Sequence, residues 1–323
     1  MSAVTEGDDG SESAQNRLEW ICARTLFPLI LGGTVFWAIS AIESGTPATQ
    51  AIALPVVLSY VTIATLERLL YWEPTWLHSK GDLHVDIGHL LVSGILTLGV
   101  LDVPIRLATI ALAAWLAGGT GEALFWPTGS SLILQLGLAL VVGEFFMYWV
   151  HRLAHEVDWL WRFHAVHHSA PRLYFLNAAR FHPVDLAISN FAPMIPLLIL
   201  GADDRVIALF GLVSAVHGLF QHANLVTRIG PLNWIFIMAE LHRWHHSRRL
   251  VESNTNFGQN LIVWDIVFGT RFLPADREPP RDIGLAGLSG FPMGYWGQLL
   301  SPIRWKAIKA AAAAAESVEE PIA

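Results

Sequence analysis

Cysteine and charged residues are scarce in this chain, and both scarcities exclude classes of protein. The single cysteine, Cys22, rules out a disulfide within the chain. Only 15% of the residues are charged, whereas 53% are hydrophobic and the mean hydropathy is +0.45, which is far more apolar than a soluble protein of 323 residues. The net charge of −7 argues against a nucleic-acid-binding protein. The composition therefore predicts an integral membrane protein.

Four apolar stretches are long enough to cross a bilayer, whose ~30 Å hydrocarbon layer requires ~20 mostly apolar helical residues. They lie at about 24–42, 50–70, 87–117 and 131–150. Arg106 falls inside the third stretch beside Pro104, which favours a proline-broken helix or a hairpin there. Residues 186–221 are apolar again but contain Pro193 and Pro196, so we expect a shallow re-entrant hairpin and not two full spans.

These segments suggest an all-α membrane protein with four regions. We expect a disordered acidic tail at 1–22, a transmembrane helical base at 23–150, a histidine-rich catalytic domain with the hairpin at 151–275, and a C-terminal tail at 276–323. The loops at 43–49 and 118–130 contain no Lys or Arg, and the basic residues gather on the other side of a four-span arrangement. Since cytoplasmic loops carry an excess of Lys and Arg, both termini and every histidine cluster are expected in the cytoplasm.

Eight of the fourteen histidines fall into three tight clusters. The clusters are His151 and His155; His164, His167 and His168; and His242, His245 and His246. Residues three or four apart on a helix lie on one face, with Cβ atoms ~5–6 Å apart, so their imidazoles can converge on one ion. A catalytic zinc ion usually takes three protein ligands and a structural one takes four. Eight clustered histidines therefore predict two metal ions held together.

The spacing leaves the metal and its chemistry open. Imidazole ligands indicate a transition metal, but they suit iron, zinc, copper and nickel alike. A membrane zinc hydrolase is one alternative, although His155-Glu156 is not followed by the second histidine of an HExxH helix. A metal transporter is another, although its histidines would line a path through the spans, whereas these clusters lie outside the apolar stretches.

Further motifs surround the clusters. The full set is His151-Arg-Leu-Ala-His155, Trp161-Arg-Phe-His164-Ala-Val-His167-His168-Ser169, Arg180-Phe-His182-Pro183, His222-Ala-Asn224, His242-Arg-Trp-His245-His246-Ser247, Asn254-Thr-Asn256-Phe-Gly258 and Trp264-Asp265-Ile-Val-Phe-Gly-Thr270. In these motifs, which are collinear over roughly 130–275, the chain resembles the fatty acid hydroxylase/sterol desaturase superfamily of membrane-bound di-iron oxygenases. The separate class of membrane acyl-lipid and acyl-CoA desaturases also uses histidine clusters, but the Arg-x-His-Pro and Trp-Asp-x-x-Phe-Gly-Thr motifs favour the hydroxylase superfamily.

The resemblance implies a four-helix membrane base, a cytosolic helical cap and two non-haem irons held almost wholly by histidine. Such enzymes take O2 and electrons from a separate reductase to hydroxylate, desaturate or cleave lipids. The implied iron ligands in this sequence are His151, His155, His164, His167, His168, His222, His242, His245 and His246. His182 lies in the Arg-x-His-Pro motif without an assigned role, and for His217 a packing role is expected.

A carboxylate that accepts a hydrogen bond from a ligating imidazole is also expected. The candidates for such a polar partner are Glu144, Asp185, Asn256 and Asp265. Glu144 lies seven residues before His151 on the same helical stripe, and we assign catalytic roles to Glu144 and Asn256, whereas Asp265 is expected to stabilise a turn. Sterols, fatty acyl lipids and ether lipids all suit this architecture, so the sequence does not select the substrate.

Overall fold

The structure is a computed structural model that describes residues 9–116 and 125–319. Within these ranges the regular structure is helical, and β-pairing is limited to isolated bridges. The α-helices are α1 (Asp9–Glu43), α2 (Ala48–Leu69), α3 (Leu83–Gly88), α4 (Gly94–Leu116), α5 (Leu132–Glu156), α6 (Asp158–His168), α7 (Pro183–Leu200), α8 (Asp204–His222), α9 (Ala239–His245), α10 (Leu250–Ser253), α11 (Val263–Val267), α12 (Tyr295–Leu300) and α13 (Trp305–Glu319). The all-α prediction is confirmed.

Six helical segments are long and apolar enough to cross a membrane, judged by length and composition. They are Arg17–Glu43, Ala48–Leu69, Leu83–Leu116, Leu132–Glu156, Pro183–Leu200 and Asp204–His222. Large apolar side chains on these segments point outward, among them Phe36, Trp115 and Leu134, which are 75%, 74% and 67% exposed. Such a surface suits lipid and not water. The protein is therefore a multi-pass membrane protein, as the composition predicted.

The hairpin expected at 186–221 consists of two helices that are each long and apolar enough to cross a membrane. Helices α7 and α8 contain 18 and 19 residues, so each rises ~27–29 Å. Their connecting turn lies at the far end of α5 from His151, since the Phe125 amide donates to the Leu200 carbonyl (3.2 Å). The prolines lie inside α7 without ending it, a tolerance that is common in membrane helices. Two such passes keep the three histidine clusters on one side.

Arg106 is also placed differently from the prediction. Helices α3 and α4 are joined by a π-helical turn at His89–Ser93 into one continuous helix, and Pro104 does not break it. The Arg106 guanidinium donates to Asp204 (2.9 Å) and lies 3.5 Å from Asp102. An arginine near the end of a membrane helix is thus balanced by carboxylates, and no hairpin is needed.

Both predicted tails contain helix. Helix α1 already starts at Asp9, so the segment expected to be a disordered tail at 1–22 is helical from that residue; residues 1–8 lie outside the described part. At the other end, α12 and α13 fold back, and the Trp305 indole donates to Asp158 at the start of α6 (3.0 Å). Residues 276–319 therefore cover the histidine-bearing domain instead of trailing from it.

Helix α8 lies at the centre of the fold. Two thirds of its most apolar window is buried, more than in any other span, and α1, α2, α5 and α7 contribute to the apolar core around it. Because α8 ends at His222, this core brings one histidine to the same end as the last two turns of α5, which carry His151 and His155. The chain then turns at the extended residue Val157 into α6, which carries the second cluster.

The depth of the α7–α8 hairpin can be tested by cysteine labelling. In a Cys22→Ser background, Ser44→Cys and Asp204→Cys should react with a membrane-impermeant maleimide from one side of sealed vesicles, and Arg248→Cys from the other. This follows because the turn before α8 lies at the end of the bundle opposite the histidines. Labelling of Asp204→Cys from the same side as Arg248→Cys would restore the shallow hairpin.

Candidate metal centre

Nine histidines form two groups, each able to hold a metal ion. Site 1 consists of His151, His155, His164, His168 and His245, and site 2 consists of His167, His222, His242 and His246. In each group one candidate ligand atom per histidine lies within 4.8 Å of all the others. The nine residues are those that the resemblance marked as ligands.

The sequence motifs divide between the two sites in a regular way. In His164-x-x-His167-His168 the residues one turn apart, His164 and His168, belong to site 1, whereas His167 belongs to site 2. In the second such motif, at 242–246, the assignment is reversed, because the pair one turn apart lies in site 2 and His245 lies in site 1. Adjacent residues on a helix point in different directions. Each motif therefore contributes to both sites.

The two sites are next to each other. The rings of His168 and His246, one from each site, stack with centroids 4.4 Å apart, and those of His242 and His245 stack at 5.3 Å. No backbone element separates the two groups at these contacts. The arrangement suits a pair of neighbouring ions.

The distances between ring nitrogens favour metal binding and do not fit a network of hydrogen bonds between histidines. The Nε2 atom of His242 lies 3.0 Å from Nε2 of both His222 and His246. A neutral imidazole nitrogen has either one proton or one lone pair, so it cannot satisfy both contacts. Nitrogens bound to one ion at right angles, each ~2.1 Å from it, lie about 3 Å apart. The His151–His164 separation of 3.1 Å in site 1 fits the same geometry.

Outer hydrogen bonds orient most of the imidazoles. Six histidines donate from Nδ1 to an oxygen, which selects the tautomer whose Nε2 lone pair is free. The donor–acceptor pairs are His151 to the Phe257 carbonyl (2.6 Å), His155 to Asn254 (3.3 Å), His164 to Asp185 (2.9 Å), His245 to the Thr255 carbonyl (2.8 Å), His167 to the Arg180 carbonyl (3.2 Å) and His222 to Asn177 (2.9 Å). In two of these six rings, those of His155 and His245, Nε2 is buried without a partner among the described residues, as is Nε2 of His168, and such nitrogens suit metal ligands.

One loop, residues 254–260, supplies three of these acceptors and is itself held by three polar side chains. Glu144 accepts from the Gln259 and Asn260 amides (3.0 and 2.9 Å), and Asp265 accepts from the amides of Phe257 and Gly258 (2.7 and 2.8 Å). Asn256, whose φ of 54° is in the left-handed region, binds the backbone of Phe272 and Leu241. The motif around Gly258 therefore positions the histidines that face it.

The four polar residues considered as partners of the histidines have different contacts. Glu144 and Asn256 were expected to act at the site, but the hydrogen bonds described for them reach the loop and its neighbours and no imidazole. The reason is that a helical stripe does not reveal which segment covers it. Asp185 alone of the four candidates accepts from an imidazole, and Asp265 stabilises the turn as predicted.

Two residues that the sequence reasoning missed hold site 2. Asn177 orients His222, and the carbonyl of Arg180 orients His167. The Arg180 side chain is fully buried and pairs with Asp86 of α3 (2.6 Å). Arg180 begins the Arg-x-His-Pro motif, but the motif did not indicate that its carbonyl orients His167, and Asn177 lies just before the motif without a signal of its own.

The remaining histidines have other roles. His182 caps α7, where its Nδ1 accepts from the Val184 amide (3.1 Å), and its Nε2 donates to the Leu299 carbonyl (3.3 Å). The His217 ring packs edge-on against Phe27 with centroids 5.3 Å apart. Neither belongs to the two groups. The expected packing role of His217 agrees with this contact.

Burial favours the neutral form of five site histidines that lie outside the candidate spans. For His167, His168, His242, His245 and His246, removal from water lowers the pKa well below its ordinary value of 6.5, and neighbouring imidazoles lower each pKa further. Metal ions bind the neutral ring, so these side chains need not lose a proton at neutral pH. Because these rings are uncharged, the free-energy cost of packing them together is limited.

A cavity of about 150 Å³ adjoins both sites. Histidines of both groups line it, among them His151 and His164 of site 1 and His222 and His242 of site 2. The rest of its wall comes largely from membrane helices, including the small residues Ser214, Ala215 and Gly218 of α8. The cavity therefore lies between the two sites and the membrane helices.

Comparisons with known proteins point to one family. Residues 136–270 match the fatty acid hydroxylase family. The ornithine lipid hydroxylase OlsE of Rhizobium tropici is 41% identical over 259 residues, which cover 79% of this chain and 76% of that protein. An alkylglycerol monooxygenase of Xenopus tropicalis is 32% identical over 137 residues, 42% of this chain and 30% of that protein. A methylsterol monooxygenase, 2-2, of Arabidopsis thaliana is 22% identical over 216 residues, 66% of this chain and 80% of that protein. No solved structure matches the chain.

The chain therefore belongs to the fatty acid hydroxylase family of membrane proteins. It is an oxygen-dependent lipid hydroxylase or oxygenase, and so an oxidoreductase that acts on lipids. The resemblance seen in the histidine motifs is confirmed.

The division of the histidines between two sites predicts the effect of single substitutions on metal content. His245→Ala should release the ion of site 1 and His246→Ala that of site 2, because each change removes one converging nitrogen. The double variant should bind neither ion, and His78→Ala should bind as the wild type does. Metal analysis of the purified proteins by mass spectrometry measures this, and equal metal content in all four variants would refute the two-site arrangement.

Proposed function

We propose that the protein is a di-iron oxygenase that hydroxylates a membrane lipid at the cytosolic face of the membrane. The observation that carries the proposal is the pair of neighbouring histidine groups beside a cavity walled by membrane helices. Iron suits the donor set, since imidazole is a good ligand for it and zinc has no redox chemistry with which to oxidise a C–H bond. Two irons bound there would supply the activation of O2.

The residues around the sites perform the remaining tasks. The outer oxygens, such as the carbonyls of Phe257 and Thr255, keep the ring nitrogens directed inward. The cavity of about 150 Å³ is of a size that holds benzene, so it encloses ~6 carbon atoms of the substrate at a time. The rest of the lipid would stay in the membrane, and Met147 and Phe181 in the cavity wall would exclude water from the reacting segment.

The substrate to test first is an ornithine lipid. The relative named as an ornithine lipid hydroxylase aligns with 79% of this chain, whereas the alkylglycerol monooxygenase aligns with 42% and the methylsterol monooxygenase is only 22% identical. An ornithine lipid was not among the substrates that the sequence motifs suggested. Ether lipids and methylsterols serve as the comparison substrates.

The cytosolic placement rests on charge. The histidine end carries exposed basic residues such as Arg304 and Lys306, whereas at the other end Arg106 and Arg205 are each paired with aspartate. Excess positive charge marks the cytoplasmic side. Both described ends of the chain, in α1 and α13, lie at the histidine end as well.

Electrons would come from a separate reductase, and a second opening offers them a route. A cleft of about 250 Å³ between α6, α13 and residues 284–288 reaches His168 from a side formed by residues outside the candidate spans. Trp161 lines this cleft, and its ring centroid is 5.1 Å from that of His155 and 5.5 Å from that of His168. The side chain thus connects an accessible surface with site 1.

The function is tested by isotope labelling. Purified protein loaded with Fe(II) in lipid nanodiscs, with a ferredoxin, a ferredoxin reductase and NADPH as the electron-donor probe, should add one oxygen atom from ¹⁸O2 to ornithine lipid. His245→Ala in the same nanodiscs is the matched control and should form less than about 1% of the product, since a missing ligand removes one ion.

Three outcomes would overturn the proposal. These are a product whose new oxygen comes from water, product formation that persists with zinc in place of iron, and loss of two hydrogens without added oxygen. The second outcome would indicate a zinc hydrolase and the third a desaturase. Extracts of cells with and without the gene provide the same comparison for every lipid class, including alkylglycerols and methylsterols.

A further inference from the structure

We infer that the two metal sites are unequal, and that Asp185 makes site 1 the tighter one, so that it fills first when metal is limiting. The inference rests on the proposed function, because it takes both histidine groups to bind metal. The two sites differ in the charge of the residues that accept hydrogen bonds from the imidazoles. They also differ in the number of histidines and in how many of their rings are oriented by such bonds.

The first difference is charge. In site 1, Asp185 accepts from Nδ1 of His164 at 2.9 Å, and the carboxylate is only 5% exposed. In site 2 the acceptors are neutral, namely the side-chain amide of Asn177 and the carbonyl of Arg180. A carboxylate behind an imidazole raises the basicity of its other nitrogen, which then binds a cation more strongly.

The position of Asp185 in the fold favours its negative charge. Asp185 lies in the first turn of α7, whose N-terminus is capped by His182, and negative charge is stabilised at that end of a helix. The Arg180 guanidinium, a buried cation behind site 2, is matched by Asp86 at 2.6 Å, so this ion pair adds no net charge there. Among the described side chains, Asp185 is the one carboxylate that is hydrogen-bonded to a site histidine.

The second difference is the fixing of the rings. Site 1 has five histidines, and four of them donate from Nδ1 to an oxygen. Site 2 has four histidines, and the Nδ1 atoms of His242 and His246 are buried with no partner in the ranges that the structure describes. Because more rings at site 1 are already oriented, metal binding there costs less conformational entropy. This difference, like the charge of Asp185, favours tighter metal binding at site 1.

The inference is tested by titrating metal-free full-length protein in detergent micelles with Co(II), whose visible absorption reports its coordination, in competition with a chelator. The wild type should bind two ions in two phases. Asp185→Asn keeps an oxygen that can accept from His164 but removes the charge, so the tight phase should weaken by ~10–100-fold. The matched control is Glu67→Gln, a buried carboxylate whose described partners are the backbone amides of Phe175 and Asn224, and it should keep both phases.

The order of filling is tested without changing Asp185. His246→Ala should retain the tight phase and His245→Ala should lose it, and thermal unfolding of each variant shows that it is folded. Wild-type protein that binds fewer than two Co(II) ions would contradict the proposed function itself. Two ions bound with equal affinity, a tight phase that follows His246, or a tight phase unchanged in Asp185→Asn would overturn only the inference about Asp185.

Discussion

The hydrogen bond from an imidazole Nδ1 to an outer oxygen is the interaction on which the rest of this site depends. A neutral imidazole has one donor and one acceptor nitrogen, and whichever side binds a fixed oxygen determines what the other side offers. In six of the nine site histidines Nδ1 donates outward, so that Nε2 is directed toward the centre of a group. Without those oxygens the burial of so many imidazoles would leave polar atoms unpaired in every direction, at a cost of ~1–3 kcal/mol each.

The oxygens come from parts of the chain that the membrane helices hold in place. The 254–260 loop is held by Glu144 on α5, and Asp185 and Arg180 lie where the chain enters α7. The central position of α8 brings His222 to the same level and also walls the cavity beside the sites. The apolar bundle therefore serves two purposes, because the helices that face lipid on one side position the histidines and the substrate path on the other.

Histidine spacing predicted that the eight clustered histidines gather, because residues one turn apart on α5, α6 and α9 lie on one face of the helix. His222 was expected only from the resemblance. The spacing did not predict the division into two groups. That division depends on how α6 and α9 face each other, so that His167 and His246 lie in one group and His168 and His245 in the other. Glu144 was correctly expected on the helical stripe of His151, but the loop that covers this stripe, and not an imidazole, receives its carboxylate. Pro193 and Pro196 suggested a break in the 186–221 hairpin, whereas α7 is continuous through both residues, as neighbouring helices in a membrane bundle allow.

The proposed function requires that the two histidine groups each hold one iron ion, side by side. Diffraction from crystals of the iron-loaded protein at the iron absorption edge tests this most directly. We expect two anomalous peaks, one among His151, His155, His164, His168 and His245 and the other among His167, His222, His242 and His246. A single peak, or peaks beside His182 or His217, would contradict it.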